Sequence, residues 1–252
     1  MRIKILYEDP DIFVIYKPAG IATQTAKVGQ ADVVSELTNY LAKSRMDKAK
    51  GGMPPFVGVV HRLDQPVEGV LVFGKHKQAT AALNQQLKDK ALQKHYLAAV
   101  CGKPQEESAR LVDYVIKDRD GLAKIVRETD AEAKKAVLDY RVLDTCELQV
   151  GAGRMPSDEE VQAVETSLLE VKIKTGRFHQ IRVQMAGAKC PLLGDQKYGN
   201  RLSLTISNSL NIRNVALCAY HLEFNHPQTG KRMEYTVNPE NRAFAIFRNY
   251  LP

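Results

Sequence analysis

Leu111-Val112-Asp113-Tyr114-Val115-Ile116, Ala123-Lys124-Ile125-Val126, Ala136-Val137-Leu138-Asp139-Tyr140-Arg141-Val142-Leu143 and Ser167-Leu168-Leu169-Glu170-Val171-Lys172-Ile173 follow one another along the chain. Each is a short run rich in β-branched and aromatic residues, the composition of a strand. Upstream, residues 3–7 and 12–16 are β-prone runs around the turn residues Glu8-Asp9-Pro10-Asp11, and 57–63, 70–73 and 96–101 are strand-like. Downstream, 215–224 and 231–237 flank the turn-forming stretch 225–230. Helical spacing is confined to three places. Asp32 caps a helix carrying Val33, Leu37, Tyr40 and Leu41; Ala79, Ala82, Leu83 and Leu87 share a second face; Phe178, Ile181 and Met185 define a third helix beginning after Gly176. Strands outnumber helices and do not alternate with them regularly, which predicts an α+β fold.

The chain of 252 residues is 44% apolar and 26% charged, with an ordinary share of glycine (16) and proline (11). That composition excludes a disordered, collagen-like or repeat-built chain. It is long enough to bury a sizeable core, and the expectation is one domain over residues 1–252. The longest apolar runs, 96–101 and 215–220, have six residues, against the roughly 20 needed to span a bilayer. Arg2 and Lys4 are followed by Glu8, Asp9, Pro10 and Asp11, which interrupt any secretory segment. Cys101, Cys146, Cys190 and Cys218 form no C-x-x-C pair and read as reduced thiols of a cytoplasmic protein.

Charge is uneven. Lys and Arg number 36 against 29 Asp and Glu, a net +7, yet residues 144–170 hold seven acids and one arginine. The rest is correspondingly basic, which fits a polyanionic partner such as nucleic acid and equally a solvated basic surface. Residues 42–55, with Lys43, Arg45, Lys48 and Lys50 among glycines and prolines, read as a basic loop that touches RNA or serves as a spacer. Residues 147–166 read as an acidic surface insertion with a short capped helix, facing away from phosphates.

Two stretches can carry chemistry. In Val59-Val60-His61-Arg62-Leu63-Asp64-Gln65-Pro66-Val67-Glu68-Gly69, an extended chain puts Arg62 and Asp64 on one side and His61 with Leu63 on the other. A carboxylate beside cations stays ionised, as nucleophilic or base work requires; an ordinary strand-end ion pair is the alternative. In Thr175-Gly176-Arg177-Phe178-His179-Gln180-Ile181-Arg182, His179 and Arg182 lie three residues apart and face one cleft, with Arg177 at the helix start available to a phosphate. His61, Asp64, His179 and Asp195 have no recognised metal-ligand spacing.

Read in order, Lys17-Pro18-Ala19-Gly20, His61-Arg62-Leu63-Asp64, Lys94-His95-Tyr96-Leu97-Ala98, Gly176-Arg177-Phe178-His179-Gln180-Ile181-Arg182, Gly194-Asp195 with Tyr198-Gly199, and the closing stretch 221–227 form a set. The chain resembles the RluA/RsuA family of RNA pseudouridine synthases, most closely the RluA branch, from about residue 5 to 239. The resemblance implies a mixed, largely antiparallel bent sheet with flanking helices and a central RNA-binding catalytic cleft. It implies isomerisation of uridine in structured tRNA or rRNA without cofactor or catalytic metal. A monomer with no membrane association and no obligatory protein partner is expected. No RNA-binding module of the S4 type is expected ahead of the first motif.

Asp64 matches the family's essential aspartate, and Tyr96 its active-site tyrosine, expected against the uracil. Arg182 is expected to form the ion pair that orients Asp64, and Arg62 to fill the space of a flipped base or hold a phosphate. Lys17, His61, Arg177, His179 and Gln180 are expected as scaffold or RNA-contacting residues. Attack at C1′, attack at C6 and a glycal route are all compatible with this set. One departure stands out: the family usually has Thr-Ser-Gly where this chain has Val67-Glu68-Gly69, so a second carboxylate lies near Asp64 and must point away or meet another cation. The competing readings are a non-catalytic RNA-binding module on the same fold and a metal-dependent nuclease.

Overall fold

The computed structural model describes residues 2–26, 29–46, 55–150 and 162–247. The chain divides into two compact units, residues 1–94 with 219–238 and residues 95–218 with 239–252. The expected α+β class holds, with an open and largely antiparallel arrangement of strands and few helices.

In the first unit, β1 (Lys4–Glu8) and β2 (Ile12–Lys17) form the expected hairpin. Its turn closes because one oxygen of Asp9 accepts the N–H groups of Asp11 and Ile12, both at 2.8 Å. α1 (Val33–Met46) starts where expected: the Asp32 carboxylate accepts the N–H of Ser35 at 2.7 Å, and Val33, Leu37 and Leu41 face inward. α1 also covers residues 42–46 of the stretch expected as a basic loop, because the helical spacing outlasts the change in composition; 47–54 lie outside the described residues.

The strand expected over 57–63 shrinks to β3 (Gly58–Val59). Beyond it, the Thr23 hydroxyl takes over a strand neighbour's role, donating to the Leu63 carbonyl (2.9 Å) and accepting its N–H (3.1 Å). β4 (Glu68–Gly74) pairs antiparallel with β2, and both are buried throughout. α2 (Lys77–Lys88) is capped by His76 and packs Leu83 onto Val14, Val70 and Val72.

The second unit holds β5 (Gln93–Cys101), β6 (Ser108–Lys117), β7 (Ala123–Val126), β8 (Lys134–Val150) and β9 (Gln162–Ile173), in the order β5-β9-β8-β6-β7 with antiparallel neighbours. The β8–β9 ladder runs out to Val150 opposite Gln162. The flanks of the expected acidic insertion are therefore strand: exposed Ala163 and Glu165 alternate with buried Val164 and Thr166, and that period of two outweighs the local charge. Residues 151–161 lie outside the described residues.

α3 (Gln180–Gly187) starts later than its apolar spacing predicts, and α4 (Arg201–Ser209) and a closing 3-10 helix (Arg242–Phe247) are helices that the spacing does not announce. Ile181 and Met185 are buried as expected, whereas Phe178 precedes the helix and is 40% exposed. His179 adopts φ 51°, which breaks the helical phase between them. The chain then returns to the first unit through β10 (Leu217–Asn225), beside β4, and β11 (Arg232–Thr236) on β10. Gly69 has φ +133°, and a Cβ there would lie 2.4 Å from the Ala219 carbonyl oxygen, so β4 can pass β10 only as glycine.

Candidate active site

Asp64 stands on the turn between β3 and β4, half-buried, with exposed Arg62 two residues before it and buried Leu63 and His61 alternating inward. The turn is closed by Val67 N–H donating to the Asp64 carbonyl at 3.0 Å. It is tied to residues 18–21 by Gly20 N–H to the Gln65 carbonyl (2.8 Å) and Gln65 Nε2 to the Gly20 carbonyl (3.1 Å). Arg62 reaches sideways to Gln24 at 2.9 Å, exposed.

Lys17 completes this knot from below. It is fully buried, and its ammonium donates to the carbonyls of Ile21 (2.7 Å), Pro18 (3.0 Å) and Gln65 (3.3 Å). Burial pushes its pKa down to about 7 against the opposing pull of Asp64 and Glu68. Lys17 therefore clamps the Asp64 turn through three backbone carbonyls, with its side chain buried. The Glu68 carboxylate, buried at 2% exposure, accepts the Tyr16 hydroxyl at 2.8 Å. The extra negative charge of the Val67-Glu68 departure is thus taken up by a buried tyrosine and a lysine it shares with Asp64.

His61 is also internal. Its Nε2 accepts the Val72 N–H at 3.3 Å, its Nδ1 has no hydrogen-bond partner, and burial, with Lys94 nearby, pushes its pKa well below the usual range. It works as a neutral strut of the β4 end.

The second unit assembles the other expected residues. Tyr96 lies on β5 opposite Val171, 5% exposed. Arg182, on α3, is gripped by Asp195 in a bidentate pair, Nε to Oδ2 and Nη2 to Oδ1, both 2.7 Å. Asp195 also accepts the N–H groups of Lys197 (3.0 Å) and Tyr198 (3.2 Å). The Tyr198 ring lies 5.1 Å from the Arg182 guanidinium carbon, and its hydroxyl bonds His179 Nδ1 at 2.8 Å while accepting the Ala123 N–H at 2.7 Å. His179 and Arg182 both contact Tyr198. Gln180 is buried scaffold: Oε1 accepts from Arg177 N–H (3.0 Å) and Thr175 Oγ1 (2.8 Å), and Nε2 donates to the Val137 carbonyl (3.0 Å). Arg177 is exposed, with Nε donating to the Lys135 carbonyl at 2.9 Å.

The sequence motifs include Asp195 and Tyr198 without revealing these roles, and they leave out Tyr16. The signal for the first two is the Asp-x-x-Tyr spacing after Gly194, which places a carboxylate and a ring on one turn. The four residues weighed as metal ligands fall in different units, His61 and Asp64 in the first and His179 and Asp195 in the second. Asp9, Asp11 and His226 do cluster. However, His226 Nδ1 accepts the N–H groups of Gln228 and Thr229, so the proton sits on Nε2 and is donated to Asp9 at 2.7 Å.

The fold is shared with solved pseudouridylate synthase domains. Human RNA pseudouridylate synthase domain containing 4 superposes with a TM-score of 0.70 at 23% identity, over 99% of this chain and 94% of the other. Residues 11–187 match the family described as RNA pseudouridylate synthase. tRNA pseudouridine synthase C of Salmonella typhimurium is 31% identical over 91% of this chain and 82% of its own length. Ribosomal large subunit pseudouridine synthase C of Buchnera aphidicola is 31% identical over 98% and 69%. These similarities define an RNA-modifying isomerase. The chain belongs to the RNA pseudouridylate synthase family.

Proposed function

We propose that this isomerase converts a uridine of structured tRNA or rRNA to pseudouridine, with Asp64 as the essential nucleophile or base. The N1–C1′ bond breaks, the uracil turns, C5 joins C1′, the C5 hydrogen leaves as a proton and N1 takes one up, so atoms balance without a cofactor. The target base leaves its stack at a cost of a few kcal/mol, offset by phosphate contacts from exposed cations such as Arg62 and Arg177. Tyr96 lies against the uracil and assists removal of the C5 proton. Arg182, held rigid by Asp195, orients Asp64. Among the described residues no helix is long and apolar enough to cross a membrane, and we take the enzyme to act in the cytoplasm as a monomer.

The observation that carries this reading is the Asp64 turn itself: a half-buried aspartate at the end of a pinned loop, with the buried Lys17 amino group hydrogen-bonded to three carbonyls behind it. RNA tritiated at uridine C5 tests it. The wild type is expected to release tritium, and Asp64→Asn to lose turnover by at least about 10³-fold while keeping its RNA affinity. Tight RNA binding without tritium release favours the non-catalytic module. Strand scission abolished by a chelator favours the nuclease.

A further inference from the structure

Among the described residues, the exposed large apolar side chains are Val112, Ile125 and Phe178, and Phe178, at 40% exposure, is the one aromatic. Its neighbours are all tethered. Arg177 is held through its N–H by Gln180 and through Nε by the Lys135 carbonyl, and His179 is held by Tyr198. Gln180 begins α3 and is itself buried. The left-handed turn at His179, φ 51°, is uncommon for a residue with a side chain. It separates Phe178 from the helix whose buried face its spacing would otherwise have joined. The ring thus forgoes burial on a backbone that does not give way.

What meets the ring is flat and cationic. The His179 imidazole stacks on it with centroids 3.7 Å apart and planes 23° apart, and the Lys117 ammonium stands 4.7 Å from its centroid. At an exposed site such a cation contact is weak, so it exchanges readily for a better partner. Arg177, next to Phe178 in sequence, and Lys197, next to Tyr198, are exposed, while Asp118, next to Lys117, is already paired with Lys124 at 2.8 Å. A flat apolar face bordered by unspent positive charge suits a ligand that has both a π-surface and a negative charge.

We propose that Phe178 and Lys117 form a ledge for one unpaired nucleotide of the bound RNA, the ring taking its base by stacking and the ammonium its phosphate. This rests on the reading above that the substrate is RNA. A base continues the Phe178–His179 stack whatever its identity, because every nucleobase has a π-face. The ledge therefore adds affinity without selecting sequence. Lys117 swings from the ring to the phosphate and exchanges a weak cation–ring contact for a charge pair. An apolar protein segment would instead bury these cations without compensation.

The test uses the full chain, a fluorescent oligouridylate for affinity and bulk tRNA and rRNA tritiated at uridine C5 for turnover. Phe178→Ala is expected to weaken oligouridylate binding by about 5- to 100-fold, with the thermal midpoint unchanged and turnover at saturating RNA within about twofold. Phe178→Trp is expected to keep or improve affinity, while Phe178→Leu stays as weak as the alanine variant because it restores bulk without a π-face. Lys117→Ala is expected to flatten the plot of log affinity against log salt by about 0.7. Wild-type affinity in Phe178→Ala or in Phe178→Leu overturns the ledge. A change from dimer to monomer in Phe178→Ala with RNA affinity unchanged also overturns it and assigns the ring to a second copy. Binding that depends on Phe178 in a protein that releases no tritium leaves the ledge standing and removes the isomerase reading instead.

Discussion

Arg182 and Asp195 form a buried bidentate ion pair, their side chains 4% and 0% exposed. Two charges taken out of water this completely are held by each other and by the N–H groups of Lys197 and Tyr198. Breaking such a pair from one side strands the remaining charge. Asp195→Leu is therefore expected to cost about 3–5 kcal/mol in urea denaturation, and Arg182→Met combined with Asp195→Leu to cost less than Asp195→Leu alone. Equal or greater loss in the double variant would show that the pair is not the unit of stability.

Lys17 separates a clamp from a phosphate contact. With its ammonium spent on three carbonyls, Lys17→Met is expected to change stability by about 1–3 kcal/mol and to leave the salt slope of RNA binding unaltered. A slope reduced by about one unit would mean that this ammonium reaches the RNA. The native pKa, about 7, lies below the ordinary 10.5, so between those values the unfolded chain binds more protons than the folded one. Stability gained through that window as pH rises, up to about 1.4 kcal/mol per unit, is expected to disappear in Lys17→Met.

His61 sets the acid side. Its folded pKa lies well below the unfolded 6.5. Below about 6.5 the unfolded state therefore takes up a proton that the folded state refuses, and stability falls as pH falls. The expected contribution is up to about 1.4 kcal/mol per pH unit. His61→Gln, which can still accept the Val72 N–H, should remove that part of the slope in denaturation curves between about pH 4 and 6.5. An unchanged slope would place the acid sensitivity elsewhere.

Gly69 is a restrictive backbone position next to the Asp64 turn. Its φ of +133° and the 2.4 Å that would separate an added Cβ from the Ala219 carbonyl oxygen oppose any side chain. Gly69→Ala is expected to cost about 2–4 kcal/mol, read by thermal unfolding, whereas Gly230→Ala, with a similar sign of φ but open space, should cost less. Equal losses would reduce the effect to φ alone.

The strands are readable because their signal is local. β7 falls on its expected residues, and β6, β8 and β9 extend beyond theirs mainly at the ends. α1 is readable from Asp32 and the spacing of Val33, Leu37 and Leu41. α4, with its serines and threonine, lacks a long apolar stripe and instead turns on the Asn200 cap and buried Ile206. Residues 60–63 resemble strand because they alternate, but the Thr23 hydroxyl, 40 positions away, claims both backbone groups of Leu63. In the candidate site, the positions of interest are readable from ordered motifs, whereas the partners are not. The motifs pair Arg182 with Asp64, and the structure adds Asp195 as the group that grips it. Lys17 and His61, expected as scaffold or RNA-contacting residues, are buried.

The order of short motifs and the period-two runs along the chain were enough to specify the family, the α+β class and the carboxylate on which the chemistry is proposed to depend, because each is written in neighbouring residues. Tertiary structure decided which charges are buried and what they meet: Glu68 the Tyr16 hydroxyl and the nearby Lys17, Arg182 the Asp195 carboxylate. The physical reason is that a side chain's desolvation, and hence whether it acts as clamp, strut or ligand-facing group, is set by atoms that chain folding brings from 13 to 52 residues away.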